Sequence, residues 1–309
     1  MNLLSDMSIS LRGVAKRTEN GRPVLAIADP NALTQTVGWL KFAHGQGQVL
    51  YRGQTELYPD IRASGLRGEG IAARRKLASL LREYVNDLSG AECLCPMGPF
   101  HYGQAHECLE RVQRRKPASL GLVQSTYRAA VEPLVQHYGV RTRWLDVVDN
   151  IWIALWFACH QQVTVGEFAH HQRRSEALEG PGAKAYIIVM STGVVSPTGV
   201  PGYHVGDETR VIDLRYAVPS VYLRPHAQHG LLVAPAKLAD GATGSLNSNV
   251  IAELEIALAD ALRWLGDGVM TSPFVLFPPA TVDVGYRRLM AAVSPHPDLG
   301  TVMHYGPGI

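Results

Sequence analysis

The sequence has little of several features that mark particular classes of protein. Its 309 residues include only four cysteines, too few for the disulfide framework of a small secreted domain. No apolar run reaches the roughly 18 residues that a membrane-spanning helix requires. The segment 1–10 also lacks the basic start and the long apolar core of a secretion signal. These absences favour a cytoplasmic protein with no membrane partner.

Several motifs that identify common enzymes are also missing. The sequence contains no phosphate-binding P-loop, no dinucleotide-binding GxGxxG, no HExxH and no GxSxG. What is present is an ordinary globular composition, with 46% hydrophobic and 18% charged residues and a formal net charge of +2. Basic residues cluster within 62–76 and 111–116. Each cluster is either a phosphate-binding patch or a solvated helix face.

One segment has the residue types of a metal site. Cys93, Cys95, His101, His106 and Cys108 fall within 16 residues, and thiolates with imidazoles are the ligands that zinc prefers. Their spacing matches no standard zinc arrangement. We therefore expect reduced cysteines in an irregular loop, and no metal site.

Hydrophobic periodicity predicts a mixture of helices and strands. The predicted helices cover residues 33–42, 69–88 and 122–135; the predicted strands cover 49–51, 185–190, 209–216, 228–235 and 274–280, and residues 251–266 read as a strand that continues into a helix. Strands and helices do not alternate regularly, which favours an α+β fold with a mixed or antiparallel sheet.

The most hydrophobic segment runs from Ile151 to Cys159 without a polar residue. Asp149 or Asn150 can cap a helix that starts there, because either side chain accepts hydrogen bonds from the first-turn amides. A helix that is apolar on every side is buried on every side. The sequence therefore predicts a buried central helix.

Three polar motifs are candidates for a binding site. Tyr51-Arg52-Gly53 places a guanidinium at a strand end, where it can bind a phosphate or a carboxylate, beside a glycine that permits close approach of a ligand. The segment 137–146 offers aromatic, hydroxyl and charged groups, and the segment 224–235 brings polar side chains to the start of a strand. Each has a plain alternative: a surface arginine, an Arg143–Asp146 ion pair and a polar turn.

Taken in order, these motifs resemble the FRG domain, which is named for an aromatic-Arg-Gly sequence. The resemblance spans about residues 48–280 and rests on Tyr51-Arg52-Gly53-Gln54, on residues 136–139, 142–146 and 153–158, on Ala227-Gln228-His229-Gly230-Leu231, and on Phe277-Pro278. It implies a helical leader at 1–45, an FRG domain at 46–280 with insertions near 90–110 and 163–182, and a C-terminal extension at 281–309.

The aromatic-Arg-Gly strand end is also similar to the first strand of ADP-ribosyltransferases of the Arg-Ser-Glu type. This similarity implies an ADP-ribosyltransferase-like fold that uses NAD. Arg52 would bind the diphosphate or a ribose, Thr142 would fill the hydroxyl position, and Gln228 with His229 would stand in the late Gln-x-Glu segment. The implied binding residues are Tyr51, Arg52, Gly53, Gln54, His137, Tyr138 and Arg143.

The sequence departs from that pattern at one position. Gly230 stands where the transferases carry a catalytic glutamate, whose carboxylate stabilises the positive charge that develops on the ribose. Asp146, from another side of the site, is the candidate to supply the negative charge.

Two functions follow from the resemblance. The first is a transferase that modifies nucleic acid or protein, as a toxin or antiphage effector with an antitoxin or immunity partner. The second is a non-catalytic module that binds a nucleotide or nucleic acid, and a purely structural domain is the third reading. Both functional hypotheses require Arg52, Thr142 and Gln228 to converge on one cleft.

Overall fold

The computed structural model describes residues 11–67, 128–237, 244–268, 271–293 and 295–306. The predicted helix at 69–88, the start of the helix at 122–135, the insertion near 90–110 and the Cys93–Cys108 cluster lie outside these ranges. Within them, no helix is both long enough and apolar enough to cross a membrane.

The described part of the chain contains thirteen strands. They are β1 (Val14–Glu19), β2 (Arg22–Ile27), β3 (Val49–Gln54), β4 (Leu145–Val148), β5 (His160–Val165), β6 (Phe168–Arg173), β7 (Lys184–Ser191), β8 (Val195–Pro197), β9 (Tyr203–Gly206), β10 (Thr209–Asp213), β11 (Gly230–Pro235), β12 (Val250–Ala257) and β13 (His304–Tyr305).

Ten of these strands form one sheet in the order β1-β2-β12-β7-β3-β4-β11-β10-β9-β8. Its pairs are antiparallel except for β2 with β12. A second sheet has the order β13-β6-β5. The helices are α1 (Pro30–Ala43), α2 (Arg128–His137), α3 (Ile151–Ala158), α4 (Glu176–Glu179), α5 (Leu214–Ala217), α6 (Leu223–Ala227), α7 (Leu258–Leu265), α8 (Pro273–Leu276) and α9 (Val284–Ala292). The predicted α+β class with a mixed sheet is confirmed.

The N-terminal region differs from the irregular leader that we expected. The helix at 33–42 is present as α1, where Asp29 accepts hydrogen bonds from the amides of Asn31 and Ala32. Before it, β1 and β2 form a hairpin that joins the large sheet through β12. The signal was Asn20-Gly21, since both residues adopt the positive φ that two-residue hairpin turns require.

The central helix α3 lies where it was predicted and is capped by Asn150, which accepts from the amides of Trp152 and Ile153. It packs directly on β3 at Gly53, because a Cβ at that position would come within 1.9 Å of the Ala154 carbonyl oxygen. The expectation that α3 is buried on every side is wrong at Trp152, whose side chain is 39% exposed.

Three groups of buried side chains form the core. The first joins α1 and α3 to one face of the sheet, the second surrounds α2, α5 and α9, and the third lies on the other face of β3, β4 and β7. Tyr286 and Val302, in the predicted extension at 281–309, belong to the second group. That segment therefore contributes core residues.

The other predictions have different outcomes. Residues 251–266 form β12 followed by α7, as expected. The predicted strand at 274–280 is wrong: Ser272 caps a short helix, α8, which begins at Pro273. The predicted excursion at 163–182 includes strand β6 and helix α4, and within it His171 and Arg174 are buried.

Candidate functional site

The candidate site lies where β3 meets β4. The two strands pair only through Tyr51 and Val148, whereas β3 pairs with β7 along its whole length. Successive side chains of a strand point to opposite faces, so Tyr51 and Arg52 serve different sides of the sheet. Two polar groups lie near this junction: the Asp146 cluster (Arg52, Gln136, His137, Thr142, Asp146) and the Asp149 cluster (Tyr51, Asp149, Asp213, Arg215, His229).

Arg52 bridges the two strands through its guanidinium. Its Nη1 donates to the backbone oxygen of Asp146 at 2.7 Å, while its Nε is buried and has no hydrogen-bond partner within the described ranges. Burial lowers the pKa of Arg52, a shift that the charge of Asp146 opposes and the charge of Arg67 increases. An arginine nevertheless stays protonated in a protein, so the bridge carries a positive charge.

The Asp146 carboxylate accepts two hydrogen bonds. Gln136 donates through Nε2 at 3.0 Å, and His137 Nδ1 lies 3.2 Å from the other oxygen. Burial by itself raises the pKa of Asp146. The hydrogen bond and charge of His137, the charge of Arg52 and the hydrogen bond from Gln136 outweigh burial and lower the pKa overall. Asp146 is therefore ionised at neutral pH, and 36% of its side chain is exposed.

Gln136 connects this carboxylate to the following turn. Its Oε1 accepts from the amide and the hydroxyl of Thr142 at 3.0 and 2.9 Å. The Thr142 hydroxyl in turn accepts from the amide of Trp144, and Thr142 is fully buried. Thr142 thus holds the turn that leads into β4, and its hydroxyl is engaged within the protein.

The Asp149 cluster is organised by Arg215. Its guanidinium binds Asp149 through both Nη atoms, at 3.3 and 2.7 Å, and Asp213 through Nε and Nη2, at 2.9 and 2.7 Å. His229 Nδ1 lies 3.2 Å from Asp149 Oδ1 and 3.1 Å from Arg215 Nη1. The hydrogen bonds to Asp213 and Asp149 raise the pKa of Arg215. Two carboxylates are thereby held around one fixed cation.

His229 occupies an unusual backbone conformation. Its φ is +52°, in the left-handed region that costs a non-glycine residue about 1 kcal/mol or more. The residue follows α6 and directly precedes β11, and this conformation turns its ring towards Asp149. Strained backbone at a polar cluster is a reason to look for function there.

Four of the implied site residues have structural partners instead. Arg143 pairs with Glu132 through Nε and Nη2, so the alternative of an Arg143–Asp146 pair is wrong. The Tyr138 hydroxyl donates to Asp283 at 2.8 Å, and Gln228 donates to the Leu276 carbonyl at 2.7 Å.

The fourth of these residues is Gly53, which makes room for α3 rather than for a ligand. Gln54 is buried, and its Oε1 has no hydrogen-bond partner. The expected convergence is therefore partial. Arg52 and Thr142 share one hydrogen-bonded network through Asp146 and Gln136, whereas Gln228 is bonded elsewhere.

Gly230 has a packing role. A Cβ at this position would lie 2.8 Å from Cε1 and 3.0 Å from Nε2 of His137, so a glutamate does not fit while His137 holds its place. His137 Nε2 is buried and has no hydrogen-bond partner in the described structure.

Sequence reasoning missed two important residues. Asp149 was considered only as a helix cap, a role that Asn150 fills, and Arg215 was not considered at all. The spacing Asp213-x-Arg215 after a buried strand was the available signal, since the Asp213 carboxylate caps α5 and holds the guanidinium. Among the described residues, no group of three or more His, Cys, Asp or Glu side chains is placed to hold a metal ion.

Comparison with known proteins identifies one family. The family model of the FRG domain matches residues 47–166, so the chain contains an FRG domain. That match covers β3, α2 and β4, which together with the turn at Thr142 carry the Asp146 cluster, and it also covers α3. Searches of curated proteins and of solved structures find no match.

Proposed function

We propose that the FRG domain of this chain is an NAD-using, ADP-ribosyltransferase-like enzyme whose site is the Asp146 cluster. One observation carries the proposal: Arg52 binds the backbone oxygen of Asp146 between β3 and β4, and its charge helps to lower the pKa of the Asp146 carboxyl group. A diphosphate needs a cation, and the bond to nicotinamide breaks with positive charge on the ribose. The site offers a group for each.

Arg52 is suited to bind the diphosphate or a ribose hydroxyl. Its Nε is buried and lacks a partner in the part of the chain that the structure describes, and an unsatisfied buried donor costs about 1–3 kcal/mol. A ligand oxygen that accepts from Nε would recover this cost. Arg67, whose charge acts on Arg52, adds a second cation for a phosphate.

Asp146 takes the place of the missing glutamate in this proposal. The carboxylate is partly exposed and its pKa is lowered, so it is negative when the ribosyl cation forms. His137 and Gln136 fix its orientation, and a preorganised charge stabilises a transition state without reorganisation. A glutamate at position 230 would not fit, because the ring of His137 fills the space beside Gly230.

The acceptor and the biological setting remain part of the proposal. We propose a nucleic acid or a protein as the acceptor, and a cytoplasmic toxin or antiphage role with an antitoxin or immunity partner.

A second candidate function is a non-catalytic module that binds a nucleotide or nucleic acid. This function is favoured by the hydrogen bonds of the Asp146 carboxylate, because both of its oxygens already have protein partners. A carboxylate held in this way can be a structural support for Arg52. In that case Arg52 binds the anion and no bond is broken.

Label transfer from NAD tests the two functions. The chain is incubated with adenylate-labelled NAD and bacterial RNA, DNA or lysate, and transferred label and released nicotinamide are measured. Loss of one preorganised electrostatic group typically costs about 10²–10³ in rate, so we expect losses of that order in Arg52→Lys and Asp146→Asn. Arg17→Lys and Asp267→Asn, at partly or largely exposed ion pairs, are the matched controls.

Calorimetry with NAD and ADP-ribose separates the remaining outcomes. Saturable binding without transfer or nicotinamide release supports the binding module and overturns the enzyme. Binding that Arg52→Ala leaves unchanged removes the Asp146 cluster from both functions.

A further inference from the structure

A cavity of about 410 Å³ lies beside the Asp149 cluster, between α1 and the start of α3. Tyr51 and Asp149 line it, and so do His229, Lys41 and Trp152. Tyr51 precedes Arg52 in β3 and points to the opposite face of the sheet. No residue of the Asp146 cluster lines the cavity, so a ligand bound in it is independent of the proposed function.

The Tyr51 hydroxyl is the first sign of a ligand. Tyr51 is fully buried, and its hydroxyl has no hydrogen-bond partner in the described structure. Buried tyrosine hydroxyls usually find a partner, and leaving one unsatisfied is unfavourable. Burial and the charge of Asp149 raise the pKa of Tyr51, so the hydroxyl stays protonated and can both donate and accept.

Asp149 has capacity for one further donor. Its Oδ1 accepts from Arg215 Nη1 and lies within bonding distance of His229 Nδ1, whereas among the described residues Oδ2 accepts only from Arg215 Nη2. A carboxylate oxygen can accept two hydrogen bonds, so Oδ2 can take one more. Arg215 holds the carboxylate rigidly, because Asp213 fixes the other edge of the guanidinium.

Lys41 and Trp152 complete the cavity. The Lys41 ammonium lies 5.4 Å from the centroid of the Tyr51 ring, which places a positive charge over the face of that ring. Trp152 presents a partly exposed indole at the start of α3. The cavity therefore combines a cation, hydroxyl-binding groups and a flat apolar surface.

We propose that this cavity binds a small phosphate ester of a sugar. Sugar hydroxyls hydrogen-bond to the Tyr51 hydroxyl and to Asp149 Oδ2, and the phosphate pairs with Lys41. Two sources share this chemistry: a free sugar phosphate and a nucleotide, whose base would stack on Trp152. His229, held by Asp149, borders the bound hydroxyls.

Titration calorimetry with ribose 5-phosphate, AMP and inorganic phosphate tests the proposal on the whole chain. We expect both esters to bind more tightly than phosphate. Tighter binding of AMP, reduced by Trp152→Ala, assigns the nucleotide as the source, and equal binding assigns the free sugar phosphate. Failure of both esters to bind, or binding no tighter than that of phosphate, overturns the proposal.

Tyr51→Phe distinguishes a ligand contact from a structural role. It removes only the unsatisfied hydroxyl, so we expect about tenfold weaker ester binding, near the upper end of the range for a single hydrogen bond. The midpoint of urea unfolding should stay the same or rise. Tyr216→Phe, at an exposed tyrosine, is the control. Unchanged ester binding in Tyr51→Phe, or a lowered midpoint, overturns the role of the hydroxyl.

Lys41→Ala tests the phosphate contact against Lys237→Ala, another exposed lysine. We expect weaker binding and a smaller salt dependence only in Lys41→Ala. The effect of Tyr51→Phe on ester binding should persist in Arg52→Lys, because the two side chains lie on opposite faces of β3. If Arg52→Lys abolishes ester binding and Tyr51→Phe does not, the esters occupy the Asp146 cluster and the second site is overturned.

Discussion

The Asp146 and Asp149 clusters take adjacent residues, Arg52 and Tyr51, from one motif. The groups that surround their carboxylates nevertheless differ. Asp146 is held by His137 and Gln136, with a guanidinium on its backbone oxygen. Asp149 is held by Arg215 and borders an open cavity of about 410 Å³. The first cluster is a bridge between strands, whereas the second is a wall of a cavity.

Strand geometry separates Tyr51 from Arg52. Tyr51 and Arg52 are consecutive and therefore face opposite sides of β3, while Asp149 and Asn150 come after the end of β4 and can turn towards α3. Residues that stand together in the sequence are thus divided between two sites. A motif read as one binding surface can be two surfaces that share a strand.

The largest expected effect concerns the shared support of both clusters. In Gly53→Ala the new Cβ would lie 1.9 Å from the Ala154 carbonyl oxygen and 2.6 Å from the Ala158 amide nitrogen. Both atoms belong to the backbone of α3, so the helix must move away from β3. We expect a loss of about 3 kcal/mol or more in the free energy of unfolding, measured in urea.

Gly199→Ala is the control, because no atom lies within 4 Å of the position that a Cβ would take there and its φ is not positive. A Gly53→Ala protein with parental stability would contradict the close contact between α3 and β3. The two clusters would then lack the common base that this contact gives them.

Much of the structure that supports the two clusters could be predicted from the sequence. The unbroken apolar run at 151–159 predicted α3, and short apolar runs predicted β3 and β11, because hydrophobic patterning is a local property of a sequence. The hairpin of β1 and β2 was missed although Asn20-Gly21 marks it, and α8 was mistaken for a strand because a short apolar run has no decisive period.

The next prediction concerns a variant that should affect the Asp146 cluster and leave the Asp149 cluster unchanged. Gln136→Ala removes the side chain that joins Asp146 to the amide and hydroxyl of Thr142. Thr142 is buried, so its donors lose their partner without access to water, at a cost of about 2 kcal/mol. We expect this loss in urea unfolding, with ester binding at the Asp149 cavity unchanged. A change in both properties would show that the two clusters act as one unit.

The members of each cluster were less predictable than the fold. Arg52, His137 and Asp146 were identified because they stand in motifs. Their partners depend on packing between distant segments, as with Arg215, which lies 66 residues from Asp149. Polar residues such as Arg143 and Gln228 looked equally functional in the sequence, but Glu132 and the Leu276 carbonyl satisfy them.

A smaller effect should depend on pH. The pKa of Asp146 is lowered in the folded protein, so its stabilising contribution is present above the unfolded pKa of about 3.9 and is lost as the pH falls through the lower folded value. Asp146→Asn should therefore be less stable than the parent at pH 7, by about 1 kcal/mol or less because the side chain is partly exposed. Urea unfolding from pH 7 to 2.5 should show this difference shrinking below about pH 4. A constant difference would contradict an ionised Asp146.

The last prediction compares the stability of glycine and alanine variants at the two histidines that lie beside the carboxylates. His229 has φ of +52°, which glycine adopts freely and alanine does not, so His229→Gly should be more stable than His229→Ala by about 1 kcal/mol. His137 ends α2, where the order should reverse, because glycine in a helix is less stable than alanine by roughly 0.5–1 kcal/mol. Urea unfolding of the four variants measures both differences. If His229→Gly is no more stable than His229→Ala, His229 carries no backbone strain, and strain no longer distinguishes the Asp149 cluster from the Asp146 cluster.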